Sequence, residues 1–528
     1  MVSEGGAGER PTGSDLDEAR RFVAAHPPLD GLADESQRLR DAIEARRAGA
    51  TAFRLGAEGA VAGLLRREAL VASPDDTVRG VARRMAEHDV STMLIVEGGR
   101  LVGIVTDRDL RRRVLGGEIP DTADIARAMT SDPITVKPDA DASMAMLTMA
   151  DRDVHHLPVV DDRGRIAGVL SANDLLNRFG TSTLHVVRAV RSAPDVQAVA
   201  RAACRREDAL LSLVSAGVNA EHVTRFLSSI AEATHRRIAE LAEEELGPPP
   251  VPYALVVFGS LARREVAIGA DQDNGFVFSN AYDAAGHGPY FRRLAKGLVD
   301  GLHSAGYPYC LGEIMATNER WARSLDAWRQ RFERWIEIPD SENLLRTSIF
   351  FDMRCVHGEE HLIDSLRIAV AGMAKAHTLF LSHIAREAAQ ASVPLGFFRG
   401  FVLHEGEHGE GAALDLKRDA IATLVSIARV HALAAGSLAL SGAERLRSAA
   451  EAQVLSNEDA EELISAQHFI ASIRMEAQAD AVRSGTTPTN RVDPRTLSRF
   501  DRDHLKDAFR VIRRHQDLVV RRYAGGIV

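Results

Sequence analysis

Two stretches of the chain are versions of one pattern: STMLIVEGGRLVGIVTDRDL at 91–110 and HHLPVVDDRGRIAGVLSANDL at 155–175. Val90 corresponds to Val154, 64 positions on, and Gly103 to Gly168, 65 positions on, so the second turn is one residue longer. Each copy reads as a helix, an apolar strand, a Gly-containing hairpin turn, a second apolar strand and a helix opening at Ser/Thr-x-x-Asp. Self-similarity at this period predicts a tandem module whose halves pack on each other.

In each copy a strand ends, a hydroxyl stands at the start of a helix and a carboxylate sits one turn in: Thr106 with Asp109, and Ser171 with Asp174. Taken alone this is a capping box. The same geometry sets unpaired N–H groups and a positive dipole end beside the hydroxyl, where phosphate binds well, while the acid can accept hydrogen bonds from ribose. As a whole, residues 70–178 resemble a pair of CBS domains, on the strength of GIVTDRDL, GVLSANDL and the strands MLIVE and LPVVD. The resemblance implies adenine-nucleotide binding between the copies, with Thr106, Asp109, Ser171 and Asp174 as ribose and phosphate contacts, and a homodimer formed through the CBS domains.

Farther on, the chain reads FGSLARREVAIGADQDNGFVF at 258–278. Gly259-Ser260 follows an apolar strand and precedes an expected helix, a place where backbone N–H groups approach phosphate closely. Asp271 and Asp273 then lie at strand spacing, so both carboxylates point the same way. Like charges so placed are best tolerated around a cation. Magnesium takes oxygen ligands and keeps substrate phosphates in its shell, and two such ions serve an in-line displacement.

Gly-Ser, a short loop and Asp-x-Asp resemble the polymerase-β-like nucleotidyltransferases. The longer GSLARREVAIGADQDN is similar to signal-transducing members related to the PII-protein uridylyltransferase, and the likeness extends over about 70–520. It implies that Gly259, Ser260, Arg263 and Arg264 hold a nucleoside triphosphate and that Asp271 and Asp273 bind two Mg2+ ions. Glu265 is expected to orient an arginine. The third carboxylate expected of such sites is Glu313, on a strand predicted for PYCLGEIMA, with Asp352 in reserve. Lys417 and Arg418 are candidates for holding phosphate or an acidic acceptor. The cyclic-nucleotide-binding barrel common in that family is not expected, since FVAAHPPLDGL (22–32) looks like its opening but no strand-rich stretch follows.

Other features favour structural readings. HEGEHGEG (404–411) carries too many glycines for a metal-binding helix and reads as a loop. Trp321, Trp328 and Trp335 recur every seventh residue and form one buried helical stripe. His155 and His156 open a strand, one expected to pack and the other to face solvent.

Composition narrows the classes. A net charge of −9 disfavours nucleic acid as a partner. Three scattered cysteines among 528 residues form no disulfide or zinc pattern and point to a reducing, cytoplasmic setting. No run is long and apolar enough to span a membrane. The expected fold is α/β and α multidomain: a partly disordered helical segment (1–65), the tandem CBS (Bateman) module (66–180), the polymerase-β-like α/β domain with its leading helices (181–345) and a helical substrate-binding-like bundle (346–528). The expected activity is magnesium-dependent transfer of NMP from an NTP to an acceptor hydroxyl, carried in the uridylyltransferase manner by a partner protein and regulated by adenine nucleotide. A catalytically silent nucleotide-sensing scaffold is the alternative.

Overall fold

The computed structural model describes residues 37–43, 60–65, 69–179, 182–339, 349–396, 400–405 and 411–525. Most of the N-terminal segment, including 22–32, lies outside the described residues.

The repeat is written into the strand pairing. In the first copy β1 (Val71–Ala72) runs parallel to β2 (Thr92–Glu97), with Val71 opposite Leu94. In the second, Val136 bridges in parallel to Val159, each residue 65 positions later. Strand β2 pairs antiparallel with β3 (Arg100–Thr106), and β3 with the short β4 (Thr130–Ser131). Likewise β5 (His156–Val160) pairs antiparallel with β6 (Ile166–Ser171). Both hairpins carry an irregularity at matched positions, Ile95/Val96 and Val159/Val160. The turns differ, Gly98-Gly99 in one copy and an Asp161-anchored turn through Gly164 in the other.

The two copies differ in what they pack on. Val81, Met85, Met93 and Ile95 belong to a small core confined to the first copy. The second copy, with helix α1 (Ala142–Arg152), shares a continuous core with the long helix α2 (Ala220–Leu246) and the following sheet. Asn219 caps α2 by accepting from His222 N, and Gly247 ends it at φ 85°, which favours glycine.

That sheet has the order β10-β7-β8-β9: β10 (Met353–Gly358), β7 (Tyr253–Phe258), β8 (Asn274–Phe278) and β9 (Ala322–Ser324). Every residue of β7 is buried because its two faces serve different cores. Leu255 and Val257 face the core shared with α2, whereas Ala254, Val256 and Phe258 face the helical C-terminal half. A strand covered on both sides is a continuous apolar run, as YALVVF is.

The strand expected at PYCLGEIMA reduces to one bridge, Tyr309 to Gln272, followed by turns. The three tryptophans are buried as expected, but only Trp328 and Trp335 share a helix, Leu325–Glu337; Trp321 lies in the turn Glu319–Trp321 before β9. Two indoles hold backbone: Trp328 Nε1 donates to Phe276 O and Trp321 Nε1 to Glu313 O. Among the described residues no single helix is long and apolar enough to cross a membrane.

Candidate active site

Strand β7 ends in a turn shaped by Gly259, whose φ of 57° is a conformation other residues adopt at a cost. The helix expected after Gly-Ser is one turn, Gly259–Ala262, and Arg264 lies at φ 58° just beyond it. Gly259 N donates to Asp352 O and Phe258 N to Asp273 O, which fixes the turn against both neighbouring strands.

Across from it, DQDN alternates. Gln272 and Asn274 point inward and pin the 307–316 loop: Gln272 Nε2 donates to Val299 O and Tyr307 O, and Asn274 Oδ1 accepts from Ala316 N. Asp271 and Asp273 are thereby turned to the other side. The pinned loop delivers Cys310, and carboxylate oxygens of Asp271 and Asp273 lie with Cys310 Sγ within 4.8 Å of one another. Asp273 Oδ1 is buried and has no hydrogen-bond partner. Burial first, then the Asp271 carboxylate, pushes Asp273 up to about 6, while Cys310, Lys417 and Arg263 act the other way. A buried, partnerless oxygen beside a second carboxylate fits a divalent cation.

Several expected residues stand elsewhere. Glu313 does not join the pair; it is exposed in a turn at φ 55°, and Cys310 takes the third position. Asp352 is no metal ligand, for its fully buried carboxylate is held by Arg263, Arg429 and Arg445. These guanidiniums outweigh burial and keep it well below the usual carboxylate range. Arg263 is consumed between Asp352 and Glu265, and Arg264 turns away to Glu232 and Asp151, so neither is free to meet a triphosphate. Glu265 does orient Arg263, at 2.8 Å, and its other oxygen accepts from Gly442 N and Gln467 Nε2. Of the cationic pair, exposed Lys417 acts on Asp273 electrostatically, whereas Arg418 pairs with Asp419. Within the Gly-rich loop, His404 also meets Asp419; residues 406–410 lie outside the described residues.

In the repeat module the capping boxes form. Asp109 Oδ2 accepts from Thr106 N and Oγ1, and Asp174 Oδ2 from Ser171 N and Oγ. Thr106 and Asp109 line a cleft of about 730 Å³ and Ser171 a second of about 280 Å³. Both His155 and His156 line both clefts, correcting the expectation that one packs and the other faces solvent. His156 Nε2 meets Ser91 Oγ across the copies at 3.0 Å, and burial lowers the pKa of both rings.

A CBS-type pair joined to a mixed sheet, with a Gly-Ser turn facing two aspartates, is the class this architecture defines. The sequence matches the "CBS domain" family at 61–116 and 123–180, "Putative nucleotidyltransferase DUF294" at 205–342 and "Putative nucleotidyltransferase substrate binding domain" at 378–523. The chain therefore carries tandem CBS domains, a DUF294 nucleotidyltransferase-type domain and its substrate-binding companion.

Curated relatives include the uncharacterized protein MK0525 of Methanopyrus kandleri, 38% identical over 21% of this chain and 58% of that protein. An inosine-5'-monophosphate dehydrogenase of Korarchaeum cryptofilum is 36% identical over 21% of this chain and 22% of that one. The chain thus spans less than two thirds of these relatives. Among solved structures, a "putative signal-transduction protein with CBS domains" from Burkholderia ambifaria aligns at TM-score 0.20 and 31% identity, covering 21% of this chain and 82% of that one. A CBS domain protein of Pyrobaculum aerophilum, solved with AMP, aligns at TM-score 0.21 and 27% identity, covering 22% and 88%.

Proposed function

We propose that the chain is a metal-dependent nucleotidyltransferase that moves a nucleoside monophosphate from a triphosphate to an acceptor hydroxyl. The observation that carries this reading is the buried, partnerless Asp273 Oδ1 beside Asp271, opposite the Gly259-Ser260 turn. Asp271 and Asp273 would hold Mg2+, which supplies charge neutralisation at the transferred phosphate. Gly259 and Ser260 position the phosphates, and Lys417 adds positive charge from the helical half. Arg263 acts as a strut for the turn, with Glu265 and Asp352 setting its guanidinium. The acceptor is a hydroxyl on a partner protein, in the manner of the PII uridylyltransferase. Adenine nucleotide in the CBS clefts regulates the reaction, in a cytoplasmic homodimer joined through those domains.

One observation favours the second reading, a nucleotide-sensing scaffold without turnover: the third position beside the aspartates holds a thiol, a poor magnesium ligand. Pyrophosphate release from each triphosphate, with candidate acceptors, decides. Under the enzymatic reading wild type releases pyrophosphate only with a divalent ion, and Asp273→Asn lowers the rate at least about 100-fold. Equal rates in the two proteins would sink it.

A further inference from the structure

A cavity of about 190 Å³ lies between α2, the segment after the Gly-Ser turn and the helical half. That is about ten times what one water needs. Its lining includes neither Gly259 and Ser260 nor Asp271 and Asp273, and the Arg263–Glu265 pair forms part of its wall.

Five arginines face this space. Arg263 and Arg264 are spent on carboxylates, as described above. The other three come from separate elements: Arg225 on α2, Arg354 on β10 and Arg474 on the helix Asn457–Arg483. The Arg225 side chain makes no hydrogen bond or ion pair among the described residues. Arg354 donates through Nε to Ala262 O and stands 3.8 Å from Glu232, and its terminal nitrogens bond nothing described. Arg474 lines the cavity, is 8% exposed and donates through Nε to Asn490 Oδ1, and its terminal nitrogens make no hydrogen bond among the described residues. Burial pushes Arg474 down to about 10, although Asp415 and Glu265 act the other way.

Carboxylates act on these arginines electrostatically, Glu221 on Arg225, Glu232 and Glu444 on Arg354, Asp415 and Glu265 on Arg474, without a hydrogen bond to their terminal nitrogens among the described residues. Glu265 is held by Arg263, Gly442 N and Gln467; Glu221 stands 3.1 Å from His468; Glu444 is exposed. Ala443, Ala471 and Met475 add an apolar wall. Buried guanidiniums with spare donors recognise phosphate oxygens through several N–H groups at once.

We propose that this cavity binds a small organic phosphate, at a site separate from both the aspartate pair and the CBS clefts. The phosphate lies among Arg225, Arg354 and Arg474, and the organic body lies against Met475 and Ala471. A ligand there ties α2, β10 and the helical half together behind the Gly-Ser turn.

The test is calorimetric titration of the full chain, free of divalent ions, with inorganic phosphate and separately with citrate. Saturable phosphate binding is expected, weakened at least tenfold by Arg474→Gln and severalfold by the more accessible Arg225→Gln. Circular dichroism checks the fold, and Arg225→Gln decides if Arg474→Gln misfolds. Binding should survive Asp271→Asn with Asp273→Asn, and Thr106→Ala with Ser171→Ala. No saturable phosphate binding, binding of citrate alone, or loss confined to the aspartate or CBS variants overturns the proposal. The outcome is independent of whether the aspartate site turns over.

Discussion

Arg264 Nη1 lies 2.9 Å from Asp151 Oδ2, so a residue just past the Gly-Ser turn is ion-paired to the last turn of a helix in the second CBS copy. Glu232 on α2 takes the other face of the same guanidinium, and Ser229 donates to Asp151 Oδ1. Neighbouring residues on that CBS helix, Met149 and Ala150, line the second cleft. A ligand seated there acts through this contact if it favours one of its arrangements over another.

Asp151→Asn should therefore separate sensing from chemistry. Any rate change produced by adenine nucleotide should fall to less than about a third of its wild-type size, with the unstimulated rate kept, since coupling energies are typically a few kcal/mol. Initial rates with and without AMP or ATP analogues check this; an undiminished response would show that the signal travels by another contact.

Asp352→Asn should unfold the protein more readily than any nearby exposed change. It leaves Arg263, Arg429 and Arg445 buried with one neutral partner in place of a carboxylate. Breaking a buried ion network costs about 3–5 kcal/mol. The readout is the urea midpoint of the transferase and helical halves, and a shift below about 1 kcal/mol would contradict the assigned role.

Cys310 and Cys204 should react with alkylating reagents at very different rates. Cys204 is exposed, whereas burial, then the Asp273 carboxylate, pushes Cys310 up to about 12. Thiolate is the reactive form. At pH 8 mass spectrometry should find Cys204 modified first, and Asp273→Asn should speed modification of Cys310 severalfold.

Acid should weaken the fold between about pH 6.5 and pH 4 through His235, which is fully buried on α2 and lowered to about 4 by burial. In that window the unfolded chain binds the proton and the folded chain does not, so stability rises with pH. The full difference is roughly 3 kcal/mol, reached below the folded value. His235→Phe should flatten the dependence in thermal melts across this range; an unchanged slope would exclude His235 as the cause.

Much of this was legible in the sequence because it is local. The repeat is two copies of one local pattern, and the Gly259 turn and the aspartate pair each lie within a few residues, where spacing determines which way a side chain points. What was hidden depends on residues distant in the chain. Cys310 reaches the aspartates only because Gln272 and Asn274 hold its loop, and the inward amides of DQDN were the available sign of that. Glu313 looked suited to the third position, but the loop turns before it and exposes it. Arg263 and Arg264 have the composition of phosphate ligands, yet Asp352 and Asp151, which hold them alongside Glu265 and Glu232, lie 89 and 113 positions away. No local pattern announces such partners.

Asp352 stands immediately before β10, yet two of its three guanidiniums arrive from the helical half. Expressed without that half, the sheet would leave Arg263 as the one remaining guanidinium for the carboxylate at the very residue that props Gly259. The sheet and its helical companion must then be inherited as one piece.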